Sequence, residues 1–253
     1  MSLDGFDPHD KQAFGGYSAP DADRFFAALS GVGARLHVDL HGVEHLPAGP
    51  ALLVANHAFG WDVAFAVAEI RRQTGRHVWC LGEHAWWKVP FLRQLACKLG
   101  VVDGTPENTT RLLSGGELVL VLPGGLREAV KPGALRYRLL WGHRYGFVRE
   151  AILHQVPIVP LACIGADDLF DFVGDAYARG QRWLHAKIPI PRPALWSMPR
   201  RVHVRYVLAE PVLPLARAGE EPHATERRVR REVEGALHEV FEEELAARAG
   251  IAL

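Results

Sequence analysis

Residues 52–65, "LLVANHAFGWDVAF", turn from an apolar run to Asn56 and His57, and Asp62 follows five residues after the histidine. A carboxylate hydrogen-bonded to one imidazole nitrogen fixes the tautomer and makes the other nitrogen more basic. A pair of this kind can take a proton from an alcohol. On one straight helix five residues would set the two side chains about 140° apart. The pair therefore needs a strand–turn–helix, with Gly60 supplying the tight turn that returns Asp62 to His57. Spacing by itself favours a plainer alternative, a helix-capping Asp62 and a surface His57.

Residues 119–133, "VLVLPGGLREAVKPG", hold the second candidate. Pro123, Gly124 and Gly125 at a strand end would let a ligand approach the backbone closely. Arg127 offers a guanidinium fork for a phosphate or carboxylate, and Glu128 could orient Arg127 or an acceptor. The alternative is an ordinary glycine-rich turn with a solvated ion pair. Other chemistries lack their marks. There is no Gly-x-Ser-x-Gly elbow, P-loop or Gly-x-Gly-x-x-Gly, and His41 and His45 have no third ligand beside them.

These loops must be carried by a regular scaffold. "ALLVAN", "HVWCLG", "ELVLVLP" and "VPIVPLACIG" read as buried strands. "RLHVDLHGVEHLP" and "RRVHVRYVLAEPV" alternate apolar and polar residues and read as half-exposed strands. Helices are predicted over 21–36, where Asp21 or Asp23 would cap, and over 62–75, 86–100, 107–116, 144–155 and 225–250. In the helix over 86–100, Val89, Leu92, Leu95, Ala96 and Leu99 would form the apolar face. Alternating strands and helices imply one α/β domain with a mixed, largely parallel sheet. It would span residues 21–253 after a flexible lead-in over 1–20. Ligands bind such sheets beyond the carboxyl ends of strands, which is where both loops fall.

Composition narrows the classes. The chain has 253 residues and a formal net charge of +0, without the basic excess of a nucleic-acid binder. Cys80, Cys97 and Cys163 are far apart, which argues against a disulfide framework and fits a reducing cytoplasm. No apolar run reaches the ~20 residues needed to span a bilayer, so any membrane contact is expected to be peripheral. Two segments could make it. One holds Trp86, Trp87 and Phe91 beside Lys88 and Arg93, although these aromatics equally suit a core. The other covers residues 179–201, with Trp183, Ile188, Ile190 and Trp196 among arginines and prolines.

Taken in order, the motifs resemble the glycerolipid acyltransferase superfamily, whose first hallmark is His-x4-Asp, here His57 to Asp62 preceded by the Asn56 such enzymes often carry. The likeness runs from about Arg35 to about Asp168, through "LACKLGVVDGTPENTTRLLSGGELVLVLPGGLREA" and "RYGFVREAILHQVPIVPLACIGADDLF". It implies transfer of a fatty acyl group from an acyl thioester, on coenzyme A or acyl carrier protein, to a lipid hydroxyl. It implies no other cofactor and no metal. His57 would be the general base, Asp62 its orienter, and Asn56, Gly60, Pro123, Gly124, Gly125, Arg127 and Glu128 would bind substrate. Phosphate-accepting members carry a Phe-Pro-Glu-Gly-Thr-Arg-like third motif. Here the Glu position is Gly124, the Thr position is Leu126, and Asp103 precedes Gly104 rather than Arg. The chain looks more like the diacylglycerol and wax or phytyl ester branch, which implies a neutral acceptor. Arg127 keeps a lysophospholipid or glycerol-phosphate acceptor open, and a non-catalytic lipid-binding module is the alternative from another class.

Overall fold

The computed structural model of the chain describes residues 17–35, 37–58, 62–83, 90–129, 131–169 and 202–250. All five residues of β2 (Ala51–Ala55) are fully buried. A strand with no polar alternation needs cover on both faces, and β2 lies mid-sheet with helices on each side. The other strands are β1 (Val38–His41), β3 (Val78–Gly82), β4 (Val101–Asp103), β5 (Leu118–Val121), β6 (Ile158–Ile164) and β7 (Val204–Leu208). Their order is β1–β7–β6–β2–β5–β3–β4. Every neighbouring pair is parallel except β6 and β7. This is the mixed, largely parallel sheet expected from sequence.

The helices are α1 (Ala19–Arg35), α2 (Asp62–Thr74), α3 (Pro90–Lys98), α4 (Pro106–Ser114), α5 (Gly125–Ala129), α6 (Gly146–His154), α7 (Ala166–Leu169) and α8 (Pro222–Ala249). α2 and α3 carry the chain toward the β4 edge, whereas α4 and α6 bring it back. Right-handed crossovers in opposite directions must use opposite faces. Accordingly α1 packs with α2 and α3, and α6 packs with α4 and α8. α8 buries Val229, Val233, Leu237 and Phe241 at four-residue intervals, and its outer face is laced with pairs such as Arg230–Glu234 at 2.8 Å.

This winding makes the site. β2 and β5 are neighbours, yet their connections leave in opposite directions, so a crevice opens between their carboxyl ends. Val54 pairs with Val121, and His57 and Gly124 each follow that last pair by three residues.

Local details differ from the sequence expectations. Ser18, rather than Asp21 or Asp23, caps α1 by accepting the Asp21 N–H at 3.3 Å. Asp21 pairs with Arg24 and Asp23 with Arg71, so neither carboxylate turns back to the helix end. β1 stops at His41 because Gly42 takes a left-handed φ of 78° and starts a 3-10 turn. His45 in that turn bonds the Leu208 carbonyl at 2.7 Å, a structural role. Among the described side chains of α3, Ala96 and Cys97 are buried, whereas Leu95 is 39% exposed. The short helices α5 and α7 had no periodicity long enough to read. Among the described residues no helix is long and apolar enough to cross a membrane, and no group of His, Cys, Asp or Glu could hold a metal ion. Trp86, Trp87, Lys88, Val89 and the 179–201 segment lie outside the described residues, as do the side chains of Phe91 and Leu92.

Candidate active site

His57 leaves β2 two residues past its end, and Asp62 is the first residue of α2. His57 Nδ1 lies 2.9 Å from Asp62 Oδ1. Asp62 Oδ2 accepts the Ala58 N–H at 2.8 Å, so both carboxylate oxygens are held. From β7 the buried Tyr206 hydroxyl donates to the Asp62 carbonyl. Gly60, proposed from sequence as the turn residue, lies outside the described residues.

Both groups are buried, His57 at 7% and Asp62 at 0% exposure. Burial alone would make His57 harder to protonate. The Asp62 charge and hydrogen bond outweigh it, Glu128 adds to them and Lys131 opposes, so His57 ends more basic than an ordinary imidazole. Burial likewise pushes Asp62 up, but His57 and the Ala58 N–H hold it below the usual carboxylate range. With Nδ1 on Asp62, Nε2 makes no hydrogen bond to a described residue. The arrangement is an oriented imidazole with one nitrogen left to exchange a proton.

The other sequence-predicted residues gather around this pair in several capacities. The Asn56 side chain is fully engaged with β6, its Nδ2 donating to the Cys163 carbonyl at 3.0 Å and its Oδ1 accepting the Cys163 N–H at 2.7 Å. It pins the β2 end rather than facing a ligand. The Pro123 carbonyl accepts from Arg144. The Gly125 N–H donates to the Leu122 carbonyl at 3.0 Å, and Gly125 needs its positive φ of 53°. A Cβ on Gly124 would overlap the Glu128 carboxylate, so this position has to be glycine. Arg127 is exposed and makes no ion pair with a described residue.

Glu128 departs most from its expected role. It is fully buried and orients neither Arg127 nor open space. Its Oε1 accepts the His57 N–H at 2.8 Å and its Oε2 accepts the Leu140 N–H at 2.7 Å. Sequence reasoning missed Lys131, Asp167 and Tyr206. Lys131 Nζ donates to the His57 carbonyl at 3.0 Å and pairs with Asp167 at 2.7 Å. Nothing local distinguishes Lys131 from the cations at 127, 136 and 138, or Asp167 from its neighbour Asp168.

Residues 37–164 match the family described as Acyltransferase, and the chain belongs to that family. Among its relatives are proteins named "DGAT1/2-independent enzyme synthesizing storage lipids". The human one is 32% identical over 177 residues, which is 69% of this chain and 53% of that protein. The mouse one is 31% identical over 176 residues, 69% of this chain and 52% of that protein. An uncharacterized protein of Mycobacterium tuberculosis is 32% identical over 68% of this chain and 47% of its own length. The chain thus spans about half the length of the curated relatives it matches. In fold it is similar to the crystal structure of the 1-acyl-sn-glycerophosphate (LPA) acyltransferase PlsC from Thermotoga maritima. That likeness has a TM-score of 0.54 and 17% identity, covering 90% of this chain and 85% of that one.

Proposed function

We propose that the chain transfers a fatty acyl group from an acyl thioester, on coenzyme A or acyl carrier protein, to the hydroxyl of a neutral lipid such as an acylglycerol or long-chain alcohol. The observation that carries the reading is the buried 2.9 Å contact between His57 Nδ1 and Asp62 Oδ1, which orients the imidazole and leaves Nε2 for the acceptor. Nε2 takes the hydroxyl proton as the oxygen attacks the thioester carbonyl. Asp62 balances the imidazolium that forms. The tetrahedral intermediate then expels the thiolate, which takes the proton back. General-base help of this kind supplies on the order of 10²–10⁴ in rate. No covalent acyl-enzyme is needed. With the Gly125 N–H engaged by Leu122, the Gly124 N–H is the donor to assign to the oxyanion. Arg127, with Arg144 lying over Gly125, supplies cations for the anionic part of the donor.

Two observations favour a neutral acceptor. The third motif has neither the Glu nor the Thr of phosphate-accepting members, and the human and mouse relatives are named for storage-lipid synthesis. The chain would work at a membrane surface, where such acceptors reside. The test is thiol release from acyl-CoA with diacylglycerol, a long-chain alcohol, glycerol 3-phosphate and lysophosphatidate offered in parallel. Release that depends on a neutral alcohol is expected. Release with the phosphorylated acceptors alone would overturn the acceptor assignment. Liposome binding without release from any of them would instead favour a lipid-binding module.

A further inference from the structure

We infer that Glu128, Lys131 and Asp167 are positioning residues for His57, a buried chain of alternating charge that holds both backbone polar groups of the histidine, its Glu128 carboxylate favouring and its Lys131 ammonium opposing the imidazolium formed during transfer. The inference rests on the reading of His57 as the base.

The geometry is reciprocal. Glu128 accepts the His57 N–H at 2.8 Å, and Lys131 donates to the His57 carbonyl at 3.0 Å. One ionised side chain thus fixes each end of the His57 backbone, and the ring is fixed separately by Asp62. Asp167 completes the chain, pairing with Lys131 at 2.7 Å through Oδ1 and accepting the Tyr137 N–H at 2.7 Å through Oδ2. Glu128, Lys131 and Asp167 are 0%, 5% and 8% exposed. Four buried charges with Asp62 are a large desolvation cost for a region that an apolar core could fill. Two of its members, Glu128 and Lys131, end on the His57 backbone, and Asp167 reaches it through Lys131.

The ionisation states follow from the donors. Burial pushes both Glu128 and Asp167 up, but Lys131 and the N–H groups that both oxygens of each receive favour the ionised form. Three carboxylates, Asp62, Glu128 and Asp167, therefore face a single ammonium. This acidic excess is relieved when the imidazole takes a proton. Gly124 is part of the device, because only its missing side chain leaves room for the Glu128 carboxylate. The charged groups that bear on His57 are Asp62 from α2, Glu128 from α5 and Lys131 just after it.

The experiment is an NMR titration of the His57 imidazole in the full chain, assigned among the 13 histidines by loss of its signal in His57→Gln. It compares wild type, Glu128→Gln and Lys131→Met. Removing the carboxylate should move the His57 midpoint down by about one pH unit, and removing the ammonium should move it up by a similar amount. In parallel kcat should fall about tenfold in each variant with KM for the thioester within about twofold, since the backbone clamp acts on the base and not on the donor. Midpoints that stay put, or move in the same direction, would overturn the inference. If Glu128→Gln does not fold, the upward shift in Lys131→Met decides alone. If His57→Ala keeps wild-type transfer, the base assignment fails while the titration still reads the network.

Discussion

Two histidines in this chain are buried to the same 7% exposure, His57 at the carboxyl end of β2 and His77 just before β3 at the opposite end of the sheet. Their surroundings are opposed. His57 Nδ1 meets the Asp62 carboxylate, with Glu128 close by. His77 Nδ1 lies 2.5 Å from Arg71 Nη1, which can only donate, so that nitrogen must be the acceptor. The His77 ring is packed between Tyr17 at 5.0 Å and Trp79 at 5.1 Å, with Phe26 at 6.1 Å. Burial by itself therefore does not make a base. His57 differs in having a carboxylate on one nitrogen and no hydrogen bond from a described residue on the other. A guanidinium and three aromatic rings make a piece of core.

The contrast can be broken most directly by deleting each ring. His57→Ala should lower acyl transfer by about 10²–10⁴-fold with the fold intact, checked by thiol release and circular dichroism. His77→Ala should leave kcat within about threefold but cost roughly 2–4 kcal/mol of unfolding free energy in urea titration. Equal losses of activity would erase the distinction. Asp62→Asn sharpens it, since an amide can hold the ring in the wrong tautomer. Transfer should fall by about 10²-fold or more.

The pH dependence has a fixed sign. His57 must be neutral to accept a proton, and its affinity for protons is raised. The acid limb of kcat/KM should therefore lie above the ordinary imidazole value of about 6.5. Residual activity in Asp62→Asn should show that limb at lower pH, because the largest force raising it is gone. A wild-type limb below 6.5 would contradict the buried pair. The smallest of these effects concerns Gly124→Ala. Its Cβ must displace the Glu128 carboxylate while leaving the His57–Asp62 contact in place. About a tenfold loss of kcat is expected, with a stability loss of about 1–3 kcal/mol measured by thermal or urea unfolding.

Much of the molecule was legible in advance because it is encoded over short distances. β2, β5 and β6 are unbroken apolar runs, and α8 repeats its apolar positions over 28 residues. Asp21 and Asp23 misled because a capping preference is only a preference, and Ser18 stood closer to the helix start. α5 and α7, at five and four residues, are shorter than any period that reveals a helix. Glu128 was singled out as an orienter of Arg127 or of an acceptor, and its carboxylate instead meets the His57 and Leu140 N–H groups. Its sequence neighbour Arg127 suggested a surface pair, whereas its side chain runs inward to a backbone 71 residues away.

The sequence by itself determined the class of fold and the acyltransferase hallmark, since these depend on apolar runs and the order of short motifs, whereas the spacing of five left open whether His57 and Asp62 meet, which the tertiary structure decided. Only the tertiary structure decided what surrounds that pair. The order of strands sets β5 and β6 on either side of β2, and this brings Glu128, Lys131 and Asp167 to one histidine. Whether a charged residue faces solvent or another buried charge depends on which distant strand becomes its neighbour, and no local pattern carries that information.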